Sequence, residues 1–241
     1  MLAPVMSSQL AVDAGVKILC YGEAGVGKTV LLATLPRPVL ISAESGTLSL
    51  DVNNLDRVWQ PTGQPYARDV ITFVVSTLQD LEDAYNWCTH PDMQQHFDSI
   101  AVDSISEVAE KILAHFKPLN KDPRKAYGEM QDEVLLLIKK FRDIPGKHVY
   151  MSAKMGSDKD EQTGAKYFGP SMPGQKLGPQ LPYLFDELFR YTTVPDGQGG
   201  KTRVLQTAPD PSYTAKDRSG RLAELEYPHL GYIINKIKGI Q

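Results

Sequence analysis

Gly22-Glu23-Ala24-Gly25-Val26-Gly27-Lys28-Thr29 decides how this chain reads. It satisfies G-x-x-x-x-G-K-[ST] at every fixed position. Glycines there let successive backbone amides turn inward around a phosphate with no Cβ in the way. A helix opening at Lys28 would aim its N-terminal partial positive charge at the same anion. In that geometry Lys28 bridges the β- and γ-phosphates of ATP, and Thr29 ligates Mg2+. The predicted nucleotide contacts are therefore Gly22, Glu23, Ala24, Gly25, Val26, Gly27, Lys28, Thr29 and Val30. The flanks agree with this reading. Val16-Lys17-Ile18-Leu19-Cys20-Tyr21 is a short apolar strand, and Lys28 to Leu35 reads as a helix stopped by Pro36 and Pro38.

A magnesium site needs a second anchor. The apolar strand Ser99-Ile100-Ala101-Val102 ends in Asp103, which the pattern puts at the mouth of the same crevice. Asp103 is expected to hold Mg2+ through water. The competing role at this position is a helix cap, open to Asp103 or Ser104. Hydrolysis also needs a proton acceptor for water. Glu44, closing the strand Val39 to Ala43, is the first candidate and Glu107 the reserve. A solvated loop glutamate is the plainer alternative for Glu44.

Further along, Val70 to Val75 and His148 to Ser152 read as strands. Thr77 to Cys88, Ser106 to Phe116 and Tyr127 to Asp143 carry apolar residues at helical spacing. Residues 155–182, rich in Gly, Pro, Lys and Ser, read as an extended loop or hairpin. Leu184 to Phe189 reads as a short helical piece running into a strand, Arg190 to Val194. A glycine turn separates that strand from Thr202 to Thr207, and Gly231 to Ile240 looks helical. Strands alternating with helices predict an α/β fold: a mostly parallel central sheet, helices on both faces, and an antiparallel edge extension. Residues 16–241 are expected to form a single domain, preceded by an arm at 1–15.

Composition narrows the function classes. A net charge of -3 over 241 residues rules out a uniformly basic surface, so any nucleic-acid contact must be local. Two distant cysteines, Cys20 and Cys88, exclude a disulfide framework and a zinc cluster built on cysteine pairs. The first residues lack a basic segment before an apolar run, and no apolar run reaches the roughly 20 residues of a membrane helix. The expectation is a soluble, cytoplasmic protein.

Ile41-Ser42-Ala43-Glu44 resembles the strand end that carries the catalytic glutamate in RecA, and Val102-Asp103-Ser104 resembles RecA's second nucleotide motif. The stretch from Pro170 to Pro179, with Leu181 to Glu187, is similar to a segment common in phage-encoded RecA-like nucleotide-binding proteins. The resemblance implies a RecA-like P-loop NTPase core acting on single-stranded DNA in phage recombination, annealing or repair. It also implies a homo-oligomer, ring or filament, with nucleotide between subunits. Lys216-Asp217-Arg218 looks like the lysine-x-arginine element of RadA-type relatives, which makes Lys216 and Arg218 candidate catalytic fingers for a neighbour's γ-phosphate. Lys154 becomes a candidate γ-phosphate sensor. The DNA-contacting segment would be the loop 155–176, with Lys159, Lys166, Tyr167, Phe168 and Lys176. Val5, Met6 and Leu10 would dock the arm on a neighbour. Two other functions stay open: a nucleotide-gated switch or loader that recruits a protein partner, and a helicase-like motor.

Overall fold

The computed structural model describes residues 4–6, 9, 13–44, 46–159 and 164–240. Its strands are β1 (Lys17–Gly22), β2 (Pro38–Ser42), β3 (Ile71–Val74), β4 (Ser99–Asp103), β5 (His148–Lys159), β6 (Lys166–Ser171), β7 (Glu187–Pro195), β8 (Lys201–Gln206), β9 (Lys216–Asp217) and β10 (Leu225–Glu226). The helices are α1 (Lys28–Leu32), α2 (Val52–Trp59), α3 (Leu78–Thr89), α4 (Ile105–Phe116), α5 (Pro123–Arg142), α6 (Leu181–Leu184) and α7 (Leu230–Lys238).

Strands that are apolar on both faces are stable only between two covering layers. β1 shows how this is met. Leu19 and Tyr21 point to one face with Val39, Ile41, Ile100, Val102, Val149 and Met151, beneath α3, α4 and α5. Ile18 and Cys20 point to the other with Leu40, Ala101, Tyr150 and Phe189, beneath α1, α2 and α7. The sheet order is β10-β8-β7-β1-β5-β4-β2-β3. From β7 to β3 every pairing is parallel. β8 and β10 extend the β7 edge antiparallel, as the sequence pattern predicts. β5 separates β1 from β4, so the phosphate loop and Asp103 flank one strand end. The second half of β5 runs past the sheet and pairs antiparallel with β6, from Lys154↔Ser171 to Lys159↔Lys166.

Several boundaries differ from the sequence reading, each for a local reason. α1 stops at Leu32, where the Thr34 hydroxyl donates to Leu31 O at 2.7 Å and the chain turns toward Pro36. α5 starts four residues early because Asp122 caps it and Pro123 fills its first turn. Leu184 ends a helix rather than beginning one, and β7 starts at Glu187. The segment 155–171 is a hairpin, of which residues 160–163 lie outside the description. α2 has no counterpart in the sequence reading. In the arm, Val5 and Met6 are exposed, while Leu10 lies outside the described residues, as does most of the proposed docking segment.

One half-buried contact at the start of β5 sets a pH dependence. The Val16 amide donates to His148 Nδ1 at 3.0 Å, which requires the neutral ring. Burial, reinforced by Lys238 and Lys17 and opposed by Asp98, pushes the imidazole down to about 4. A base whose folded pKa lies below its unfolded value of about 6.5 contributes stability that is whole above that value. The contribution is lost as pH falls toward 4. Between pH 7 and pH 5 the loss should be about 2 kcal/mol. Urea unfolding of the parent and of His148→Asn at both pH values checks this, because the substitution should remove that share of the pH slope.

Candidate nucleotide and metal site

The phosphate loop owes its shape to three glycines. Gly25 and Gly27 have φ of 77° and 108°, in the left-handed region. At Gly22 a Cβ would stand 2.5 Å from Tyr191 O. Gly27 then caps α1, whose Leu31 amide donates to Gly27 O at 2.9 Å. Lys28 folds back over the loop and donates to Gly22 O at 2.8 Å and Glu23 O at 3.0 Å. The outer side of the loop is braced by Arg203, whose Nε donates to Val26 O at 2.8 Å. Tyr150 donates from below to Lys28 O at 3.1 Å. Burial raises the Tyr150 pKa well above the ordinary phenol range, so it stays a neutral donor.

Asp103 and Glu44 close the other side. The amide of Ala43 donates to Asp103 O at 2.9 Å, which ties the end of β2 to the end of β4. Asp103 is 4% exposed. Its Oδ2 accepts from Thr29 Oγ1 at 2.6 Å, and its Oδ1 accepts from Ser152 Oγ on β5. Ser104, rather than Asp103, caps α4 by accepting from the Glu107 amide at 3.3 Å. The same Ser104 hydroxyl donates to Glu44 Oε1 at 2.6 Å. Ser42 Oγ donates to Glu44 O at 2.8 Å and fixes the backbone there. Capping therefore falls to Ser104, and the Asp103 carboxylate is left to face Thr29.

A cavity of about 710 Å³ lies over these groups and is lined by the loop, Thr29, Val30, Glu44, Asp103 and Lys154. Of the predicted nucleotide contacts, Val26 alone does not line it. Thr29 and Asp103 present a hydroxyl and a carboxylate in mutual contact, which are the hard oxygen donors Mg2+ prefers. Among the described residues no cluster of three His, Cys, Asp or Glu could hold a metal by itself. The arrangement fits a cation that takes its remaining ligands from phosphate and water.

Other expected residues are already engaged within the fold. Lys154 bonds Glu107 Oε2 at 2.9 Å and Glu110 Oε1 at 2.8 Å, and these carboxylates raise its pKa further. The reserve carboxylate Glu107 is thereby engaged. Lys216 and Arg218 lie off the cavity, toward the opposite end of β1. Lys216 pairs with Leu188 across β9 and β7, and its ammonium donates to Phe185 O at 2.6 Å. Arg218 bonds Asp186 Oδ1 at 2.8 Å, beside Lys17. The Phe168 ring is stacked on Tyr213 at 5.0 Å, and Tyr213 carries Arg190 over its ring at 3.3 Å. One face of the Phe168 ring is thereby covered by the fold itself. Residues that the sequence reading missed also line the cavity: Ser49, Asn54, Arg57, Val58, Trp59, Met155, Tyr191 and Arg203.

A protein-family model described as an AAA domain matches residues 14–219, most of the chain. The chain belongs to this AAA-domain family. The phosphate loop, Glu44 and Asp103 all fall inside the matched AAA domain, and so do Lys216 and Arg218. Solved structures similar to the AAA-domain chain include the RadB recombinase, at 18% identity and TM-score 0.47 over 80% of this chain and 81% of that one. The flagellar accessory protein FlaH from Methanocaldococcus jannaschii gives 14% and 0.44, covering 80% and 78%. A KaiC-like protein from the hyperthermophilic archaeon Pyrococcus horikoshii gives 11% and 0.43, again covering 80% and 78%. No curated protein matches the sequence. Among the described residues no helix is long and apolar enough to cross a membrane.

Proposed function

We propose that the chain is a Mg2+-dependent, RecA-like ATPase that acts on single-stranded DNA in recombination, annealing or repair. The observation that carries the ATPase part is the pair of contacts Thr29–Asp103 and Ser104–Glu44 around the Lys28 loop. Lys28 would exchange its two carbonyl acceptors for β- and γ-phosphate oxygens, which offer full negative charge. Thr29 and Asp103 would hold Mg2+, which when bound neutralises charge on the phosphates. Glu44, oriented by Ser104 through Oε1, keeps Oε2 to accept a proton from the attacking water.

The DNA part is supported by the β5–β6 hairpin. It carries Lys159 and Lys166 and flanks a groove of about 470 Å³ lined by Tyr167, Gln175 and Tyr183. Tyr183 is 82% exposed, an aromatic face that the fold does not use. An accessible ring suits a stacked base, and lysines on the hairpin suit a phosphate backbone. β5 also joins the hairpin directly to Lys154, which lines the nucleotide cavity, and to Ser152, which bonds Asp103 there, and this provides a route for coupling. ATP hydrolysis should be faster with single-stranded DNA, and Lys28→Ala should abolish it in both conditions. DNA affinity, followed by fluorescence anisotropy, should fall as salt rises. Hydrolysis indifferent to DNA, with no salt-sensitive binding, would favour the switch or loader reading.

Oligomerisation is part of the proposal, with Arg218 reaching a neighbour's γ-phosphate. Its side chain is more than half exposed, at 59%, whereas the Lys216 ammonium is held by the chain's own carbonyls. Arg218→Ala and Glu44→Gln proteins, each inactive alone, should regain activity when mixed. Absence of rescue at every ratio would remove Arg218 from this role.

A further inference from the structure

The end of the sheet opposite the nucleotide cavity holds a pair of carboxyl groups. Glu187 opens β7 beside Ile18 of β1 and lies across from Asp217 of β9. Glu187 is 1% exposed, and no donor reaches its Oε2. A buried oxygen in that position is satisfied when the carboxyl carries a proton of its own. Asp217, which hydrogen-bonds Glu187, is the acceptor for that proton. Asp217 in turn organises the chain that follows it. Its Oδ1 accepts from the Ser219 amide at 2.7 Å, the Ser219 hydroxyl at 2.6 Å and the Gly220 amide at 3.1 Å. Its Oδ2 accepts from the Leu222 amide at 3.0 Å. Arg218 lies inside this turn.

We propose that Glu187 is a positioning residue: as a neutral acid bonded to Asp217 it holds the 217–222 turn closed, and its ionisation sets two buried carboxylates against each other and opens the turn. Burial and the adjacent Asp217, with Asp186 beside it, push the Glu187 carboxyl up to about 8, against the Ser219 amide. Asp217 stays ionised, because Ser219, the Leu222 amide and Glu187 outweigh its own burial. The surrounding cations are held by other groups. Lys216 bonds Phe185 O, Arg218 bonds Asp186, Arg221 bonds Ile237 O and Lys236 of α7 bonds Glu226. Lys238 of α7 lines the same cavity as Glu187. Lys17 of β1 titrates in the same range, since burial lowers its ammonium to about 8. A lowered base gains stability as pH rises, which is the opposite sign. What the turn does for a neighbour's γ-phosphate rests on the Arg218 reading above; the closure of the turn does not.

The test is hydrogen exchange of the full chain from pH 6 to pH 9, read by mass spectrometry on peptides spanning 217–222 and corrected for intrinsic rates. An acid that sits at 4.5 when exposed and at about 8 when enclosed favours closure fully below the first value and loses that preference as pH rises to the second. Opening then becomes about tenfold easier per pH unit in between. Protection in the parent should therefore fall about 100-fold from pH 6 to pH 8 and level off above it. Glu187→Gln keeps a donor for Asp217 but cannot ionise, so its protection should stay near the parent's pH 6 value throughout. A flat profile in the parent overturns the inference whatever the variant does. An equal fall in Glu187→Gln overturns it as well, because another group would then carry the pH dependence. Exchange is read on the turn itself, with no nucleotide present, so the result stands apart from whether Arg218 reaches a γ-phosphate.

Discussion

Glu44→Gln should bind ATP about as tightly as the parent and hydrolyse it at least ~10²-fold more slowly, the usual worth of a positioned general base. The substitution is close to isosteric. A glutamine Oε1 can accept the Ser104 hydroxyl as the carboxylate does now, at 2.6 Å. The backbone anchor from Ser42 to Glu44 O is untouched. What disappears is the capacity to take a proton. Nucleotide affinity, set by the loop and Lys28, should therefore separate from turnover. Glu44→Asp gives a second measurement. It keeps the acid but draws the carboxylate back by one methylene, away from Ser104, and should fall between parent and Glu44→Gln. If single-turnover hydrolysis survives in Glu44→Gln, the proton acceptor lies elsewhere, and Glu107 is not a ready substitute while it binds Lys154.

The parts of the candidate site legible in the sequence are those that follow one strand end. The phosphate loop is a contiguous motif, so its residues need no tertiary information. Asp103 and Glu44 are legible because each terminates an apolar strand, and parallel strands bring their carboxyl ends together. Sequence alone left Asp103 and Ser104 as rival caps, since either side chain can reach a first-turn amide. The fold resolves this by turning Asp103 toward Thr29 and Ser152, which lies 49 residues away.

The missed residues have physical reasons too. α2 is a helix of eight residues containing Asn53 and Asn54, which are poor helix formers, so its pattern is faint. Arg57 went unseen with it. Arg203 braces the loop from 177 residues away, a pairing that β8 makes only through β7. Phe168 shows a different limit. An aromatic among lysines suggests a base platform, but its ring is already stacked on Tyr213. Composition cannot tell which face of a ring the fold already covers.

Asp103→Asn should uncouple stability from activity. In the free protein Asp103 is a buried carboxylate whose side-chain partners are two hydroxyls, Thr29 and Ser152. Burying that charge carries a desolvation cost, which the amide avoids. The amide keeps one acceptor but turns the other position into a donor, so one hydroxyl must rotate or lose its bond, at about 1 kcal/mol. These changes oppose each other, and the melting temperature should move little. With nucleotide the balance differs, because a neutral amide cannot complete the charge of a Mg2+ site that otherwise offers the protein's Thr29 hydroxyl. The Mg2+ concentration for half-maximal hydrolysis should rise at least ~10-fold and the maximal rate should fall steeply, as losses of this kind of charge stabilisation do. A residue that merely held the end of β4 in place would behave in the reverse manner. Its substitution would lower the melting temperature and leave the Mg2+ dependence where it was. Measuring both quantities on one variant therefore separates a metal-anchoring Asp103 from a structural one, whichever way the activity alone falls.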